Sequence, residues 1–451
     1  MNPYINLIAG VIISLSATAL ADDISIPQTQ LELNNNLNGK QLELRINNAI
    51  ENIQIGQNNR ANIKQNSETI DSSIQSTQIG LKNQSKISQT GATSSSILNQ
   101  QFGSANKVFS SQNISLTSTI TILQMGNKNS SKVIQNSGKD NIIENIQEGG
   151  DNVFIAKQES SISSTITAHQ YGNQHKITVR EAETTSSSAT YILQYNKENF
   201  SSINLADVNN SRIEILQDGS KNLTKISQSL SANSRTKIQQ FEISNYAQIN
   251  QDKSFFSSIT LLQRGEANRA SVVQAGTYNA IELYQGGKDS YAFLEQDSDQ
   301  STMDIQQFRS GNQITASQLT TELSTLESSQ FGSNNIFTVN QRGLYINISN
   351  EQIGKKNITE IEQTGEYLSI FTHQAGSDNI ANFVQTGEDL SISASQIGDR
   401  NDLSIIQKGI SNYIESIQIG NKNRQEIVQS SQNNYIAVTQ VGQGNTSVIW
   451  Q

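Results

Sequence analysis

The chain has 451 residues, of which only 34% are hydrophobic, and a formal charge of −9. It contains no cysteine, which excludes disulfides and thiolate metal sites, and its acidic balance argues against a nucleic-acid partner, which needs a basic face. So polar a composition belongs to a disordered chain unless its apolar residues fall in register.

In chain order, residues 1–21 read as a signal peptide. Leu7–Leu20 is an apolar run, and Ala19-Leu20-Ala21 offers small residues at the cleavage positions. A signal peptide would place the rest of the protein outside the cell; the other reading of this stretch is a membrane anchor, for which it is short. Residues 22–47 match the repeats of the remaining chain only in part. Gln30, Asn35 and Gln41 keep the repeat spacing, but Glu32 replaces a glycine and Gly39 stands where an aliphatic belongs. Two readings stay open for this stretch: an export segment or a degenerate capping rung.

Residues 48–451 are tandem repeats aligned on Gln-x-Gly. The anchor glutamines run from Gln54 to Gln440 at intervals of 22 to 24 residues, eighteen in all. Two positions after the anchor, glycine stands in 15 of the 18 repeats, as at Gly265, Gly354, Gly376, Gly398 and Gly420. Asparagine follows at +5 and glutamine at +11, each in 16 of 18. Four residues before the anchor is Ile, Leu or Met, again in 16 of 18.

Positions −6, −4, −2 and 0 make one face of a strand, and +5, +7, +9 and +11 one face of a second. Of the 144 residues at these positions, only Glu181 is an acid or a base, His175 aside. That depletion marks a desolvated interior. Volumes trade within the second strand: Ala61 precedes Ile63 and Ala381 precedes Phe383, whereas Phe154 precedes Ala156. No proline occurs after Pro27, as a sheet interior requires.

The expected fold is therefore all-β: a parallel, in-register β-solenoid of about eighteen strand–arch–strand repeats. At roughly 4.8 Å per rung it is a rod on the order of 85 Å long. The +2 glycines should take positive φ in the arches. A second glycine, at Gly343, Gly365, Gly387 and Gly409, makes the C-terminal repeats two near-equal arms, and a slight change of twist is expected near Gln263. Inward amides should form ladders, each donating to one neighbouring rung and accepting from the other. The members singled out are Gln263, Asn268 and Gln274; Gln352, Asn357 and Gln363; Gln374, Asn379 and Gln385; and Gln396, Asn401 and Gln407.

The motif Ser-x5-Gln-x-Gly-x2-Asn-x-Ala-x3-Gln, formed by Ser257, Gln263, Gly265, Asn268, Ala270 and Gln274, resembles the curlin repeat. It recurs with looser ends at Gln374, Gly376, Asn379, Ala381 and Gln385, and the resemblance covers residues 48–451. It implies the structural subunit of a secreted, curli-like functional amyloid, an extracellular cell-surface fibre of biofilm matrix and adhesion. The partners it implies are further copies of the chain, a nucleator subunit and an outer-membrane secretion pore. The chain departs from familiar curli subunits in its larger repeat number and in lacking a glycine-rich export segment. The alternative is a soluble or cell-surface β-solenoid adhesin that does not polymerise.

No constellation suggests an enzyme, a cofactor, a metal or a small-molecule substrate. His169 and His373 point outward in distant repeats, and His175 and Glu181 replace ladder amides in a single repeat. The outward acids Glu144, Glu214, Glu282, Asp304 and Glu415 share one column and read as a solvated face. The sequence does suggest where growth would occur. From Ile427 to Gln451 there is no charge and no proline, so Ile436, Gln440, Asn445, Val448, Trp450 and Gln451 are expected to form the polymerisation edge.

Overall fold

Inward aliphatics and amides alternating with outward polar residues give each repeat two strands. The computed structural model describes residues 28–31, 35–41, 47–66, 68–182 and 184–451, and among these it contains strands and no helix. The expected signal peptide, residues 1–21, lies outside them. Thirty-eight strands form two sheets of nineteen. In the first sheet Ala49–Gln57 pairs in parallel with Ser73–Leu81, placing Gln54 opposite Gln78. In the second, Arg60–Gln65 pairs with Gln84–Thr90, placing Gln65 opposite Gln89. The same register carries through to Tyr435–Gln443 on Tyr413–Asn421 and Thr446–Trp450 on Arg424–Gln429. The protein is a parallel β-solenoid with one strand of each sheet per rung. Before the first anchor repeat, Gln28–Leu31 and Asn36–Gln41 pair with Ala49–Gln57 and Arg60–Gln65 as a further rung.

One continuous apolar core runs between the sheets from Ile50 to Ile436. It is thin, because each strand contributes only two inward apolar positions, and amides close both of its margins. A small separate cluster, Ile346, Leu368 and Leu390, lies beneath the second arch of three C-terminal rungs.

The two arches differ. The first arch joins the two sheets and is entered through the +2 glycines at the strand ends, whose φ runs from 104° to 137°. A Cβ on Gly354 would overlap the carbonyl oxygen of Gly376, and one on Gly376 that of Gly398. Asn196, Glu242 and Arg309 occupy the same position by retreating to φ of 73°, 74° and 77°, nearer the left-handed region that side chains tolerate.

The second arch changes along the rod. In the N-terminal rungs it is long, as at residues 91–95, and its isolated bridges run from Ile70↔Thr93 to Ala232↔Phe255. From Phe256 onward it shortens to two residues in several rungs, with Gly276, Gly387 and Gly409 at positive φ. The switch falls where Tyr246–Phe255 meets Arg269–Thr277 with a register shift between Gln251 and Ser254, half a rung before Gln263.

The expectation of equal arms fails at two rungs. Gly343 and Gly365 do not take positive φ, and their strands end early, at Asn340 and Glu362. Glycine permits either path, and in a stacked solenoid an arch can leave the common path only beside a neighbour that leaves it too. These two arches are adjacent and joined by the stacked rings of Tyr345 and Tyr367, 5.0 Å apart.

Candidate functional site: polar ladders and the terminal rung

The anchor glutamines build an uninterrupted ladder. Each Nε2 donates to Oε1 of the next anchor toward the C-terminus, from Gln30 to Gln54 at 3.0 Å through to Gln418 and Gln440 at 3.1 Å. Gln263, Gln352, Gln374 and Gln396 belong to it, donating at 2.8, 3.0, 2.7 and 2.9 Å. Every bond points the same way. Many of the amides use their second proton on the backbone, as Gln352 does on the Ile336 carbonyl at 2.9 Å. The side chains from Gln54 to Gln418 are buried, so each bond satisfies groups that would be costly if orphaned.

The asparagines behave otherwise than expected: they chiefly serve the backbone rather than one another. Asn357 Nδ2 donates to the carbonyls of Ile353 in its own rung and Gly376 in the next, both at 3.1 Å. Its Oδ1 accepts the backbone N–H of Asn379 at 3.2 Å. Asn268 and Asn401 cap their arches alike. Amide-to-amide contacts exist, such as Asn379 Nδ2 to Asn357 Oδ1 at 3.1 Å, but they are few. The physical reason is reach: the shorter side chain beside a tight turn meets turn carbonyls before it meets its counterpart.

The +11 glutamines form a second ladder that breaks twice. Gln274 donates to Gln296 at 3.1 Å and Gln407 to Gln429 at 3.0 Å. Gln363 does not join: it is buried, and both of its amide atoms lack partners, as do those of Gln341. Gln385 donates to Gln407 at 2.7 Å but its Oε1 receives nothing. This corrects the expectation for Gln363 and half of that for Gln385. The strands of Gln341 and Gln363 stop one residue before these glutamines, at Asn340 and Glu362, so two successive rungs of the column lie beyond the regular ladder.

The other break is at Glu181 and Leu205. Gln158 donates to Glu181 Oε2 at 2.9 Å, and Leu205, next in the column, offers no polar atom. Burial pushes the Glu181 carboxyl up to about 8, against the opposing bond from Gln158. His175 fills an asparagine position as an asparagine would: its Nδ1 accepts the Asn199 N–H at 3.3 Å, and Nε2 lies 3.2 Å from the Tyr171 carbonyl. Burial pushes its pKa down. The two residues are engaged with different partners and do not form a pair. His169 and His373 face outward beside Glu144 and Glu351, at 3.8 and 2.9 Å. Among the described residues no three His, Asp or Glu side chains are grouped as metal ligands.

One constraint escaped the sequence reading. In all eighteen repeats the residue at +4 is left-handed, with φ from 55° to 70°, as at Lys82, Asp151 and Lys356. The signal was an exclusion: none of these eighteen residues is β-branched or aromatic.

At the C-terminal rung, Tyr435–Gln443 and Thr446–Trp450 pair on one side only among the described residues. Gln440 accepts from Gln418 and donates to the Arg424 carbonyl at 3.1 Å, with no further anchor above it. Asn445 accepts nothing on its outer side, and Ile436 is the outermost member of the core. Val448 and Trp450 point outward, at 56% and 76% exposure, rather than into the rod. Gln451 is held by its backbone to Val428 and Ser430, at 2.9 and 2.8 Å.

Neither a protein-family model nor a curated protein matches the chain.

Proposed function

We propose that this chain is the structural subunit of a secreted, curli-like fibre that grows by stacking solenoids end to end. The observation that carries the proposal is the polarity of the anchor ladder. Its eighteen amide bonds all run in one direction, so among the described residues a donor, Gln440 Nε2, ends the ladder at one end and an acceptor, Gln30 Oε1, at the other. A second copy placed beyond Gln440 in the same register would extend ladder and sheets alike. The uncharged edge from Ile427 to Gln451 supports this, since natural sheets usually block such edges with charge or proline. The curlin-like repeat motif points the same way, and a nucleator and a secretion pore remain the partners it implies.

Electron microscopy and X-ray fibre diffraction of the purified protein test the proposal. Unbranched fibres with a meridional spacing of about 4.8 Å are expected. Ile436→Pro, or Val448→Lys with Trp450→Lys, should leave a folded rod that elongates poorly. A protein that stays monomeric under all fibre-forming conditions would instead fit a non-polymerising adhesin. Parental elongation in those variants would move growth away from the C-terminal edge.

A further inference from the structure

The outward face of the second sheet separates charge along the rod. Over six consecutive rungs, three of its outward columns hold eight Lys or Arg side chains and no Asp or Glu, and the fourth, at the strand ends, holds Glu159. Arg60, Lys107 and Lys176 stand in one column, with Lys86 and Lys132 in the next. Lys64, Lys157 and Arg180 make the third. Every one of the six rungs contributes at least one cation, over roughly 24 Å at about 4.8 Å per rung. The matching columns of the first sheet hold Glu51 and Glu144 and neither Lys nor Arg. A net charge of −9 therefore conceals a basic stripe.

These cations are not neutralised within the rod. Only Lys157 and Arg180 reach a carboxylate, both that of Glu159, at 2.5 and 4.0 Å. For the other six no ion pair forms among the described residues. Instead, Lys86 and Lys132 lie over the ring of Phe109, at 5.5 and 5.8 Å, and Lys176 over Phe200 at 5.5 Å. An open groove runs beside Arg60, Lys86, Lys107 and Lys132. A row of like charges at rung spacing repels itself, and a polymer of fixed opposite charge relieves that along its whole length.

We infer that this stripe binds a linear carboxylated polysaccharide laid along the rod axis. The match is one of shape and charge: a narrow stripe with a cation on every rung meets a linear row of single anions. Single-stranded nucleic acid binds by stacking bases on open aromatic faces. Here Phe109 is attended by two ammonium groups and Phe200 by one. A flat sheet also presents no element to enter a duplex groove. The stripe is present on each rod, whether or not rods join end to end.

The test is retention of the full chain on immobilised oligogalacturonate at low salt, with neutral dextran as the blank. Retention on the acidic sugar alone is expected, weakening as salt rises. Lys86→Glu with Lys107→Glu and Lys132→Glu should weaken it at least tenfold. The corresponding Gln triple should lose less, and decides the matter if the Glu triple fails to fold by circular dichroism. Lys237→Glu with Arg264→Glu, on the other sheet, should bind as the parent does. Equal binding by parent and triple variants would overturn the inference, as would tighter binding of a single-stranded oligonucleotide of equal charge.

Discussion

The side-chain amide of Gln158 donates to the carboxyl of Glu181 at 2.9 Å, and this is the last bond of its ladder before Leu205 interrupts it. Burial raises the Glu181 pKa to about 8 from 4.5. Because the folded value lies above the unfolded one, the full stability of this rung is present below about pH 4.5 and is lost as pH rises through 8. The loss is on the order of 5 kcal/mol in local opening. Glu181→Gln should continue the ladder and abolish the alkaline loss, as measured by hydrogen exchange of this rung between pH 5 and 9. An unchanged pH profile in the variant would refute the assignment.

His175 has the opposite sign. Its Nδ1 accepts the Asn199 N–H, a bond that only the unprotonated nitrogen can make, and burial lowers its pKa. Stability is therefore present above the ordinary histidine range and lost as pH falls through the lowered folded value. His175→Asn restores the residue found in 16 of 18 repeats and should remove acid-induced opening here. With Glu181 and Leu205 nearby, this region is expected to exchange fastest among interior rungs; uniform protection would contradict that.

Gly376 has φ of 124°, and a Cβ there would overlap the Gly398 carbonyl oxygen. Gly376→Val should lower the urea midpoint strongly, by an amount equivalent to about 3 kcal/mol or more. Gly376→Asn should cost less, since Asn196 occupies the same position at φ 73°. Equal losses would show that backbone conformation is not what selects glycine.

Gln363 and Gln274 hold the same repeat position with opposite consequences. Gln363 has neither amide atom bonded, so Gln363→Leu should be neutral or stabilising, by up to about 2 kcal/mol. Gln274 accepts from Gln251 at 2.8 Å and donates to Gln296 at 3.1 Å, and Gln274→Leu strands both neighbours. It should cost about 2 kcal/mol or more. Thermal denaturation of the two variants checks the contrast.

Ile370 is buried in the core, while Glu360 is exposed beside buried Ile361. Ile370→Lys should cost on the order of 3–5 kcal/mol by burying an unpaired charge. Glu360→Lys should change little. Similar melting temperatures for the two would undo the assignment of inward and outward faces.

The two-strand repeat, the identity of its inward faces and the parallel register were all legible in the residues, because a period of two beside a period of 22 to 24 leaves one way to stack Ile370 on Ile348 and Gln374 on Gln352. The need for positive φ at Gly354 was legible as well, since glycine is the residue that meets it without strain. The partner each amide takes was not. Asparagine and glutamine carry the same group, and only the distance from the arch decides that Asn357 bonds to turn carbonyls while Gln352 reaches the next glutamine. Nor could the repeat show that Gln363 would be orphaned, because that arises from a path shared by two adjacent arches. The basic stripe belongs to the tertiary structure too: Arg60, Lys86, Lys107 and Lys132 are 21 to 26 residues apart in sequence. They become a single face only when parallel pairing brings successive rungs to within about 5 Å.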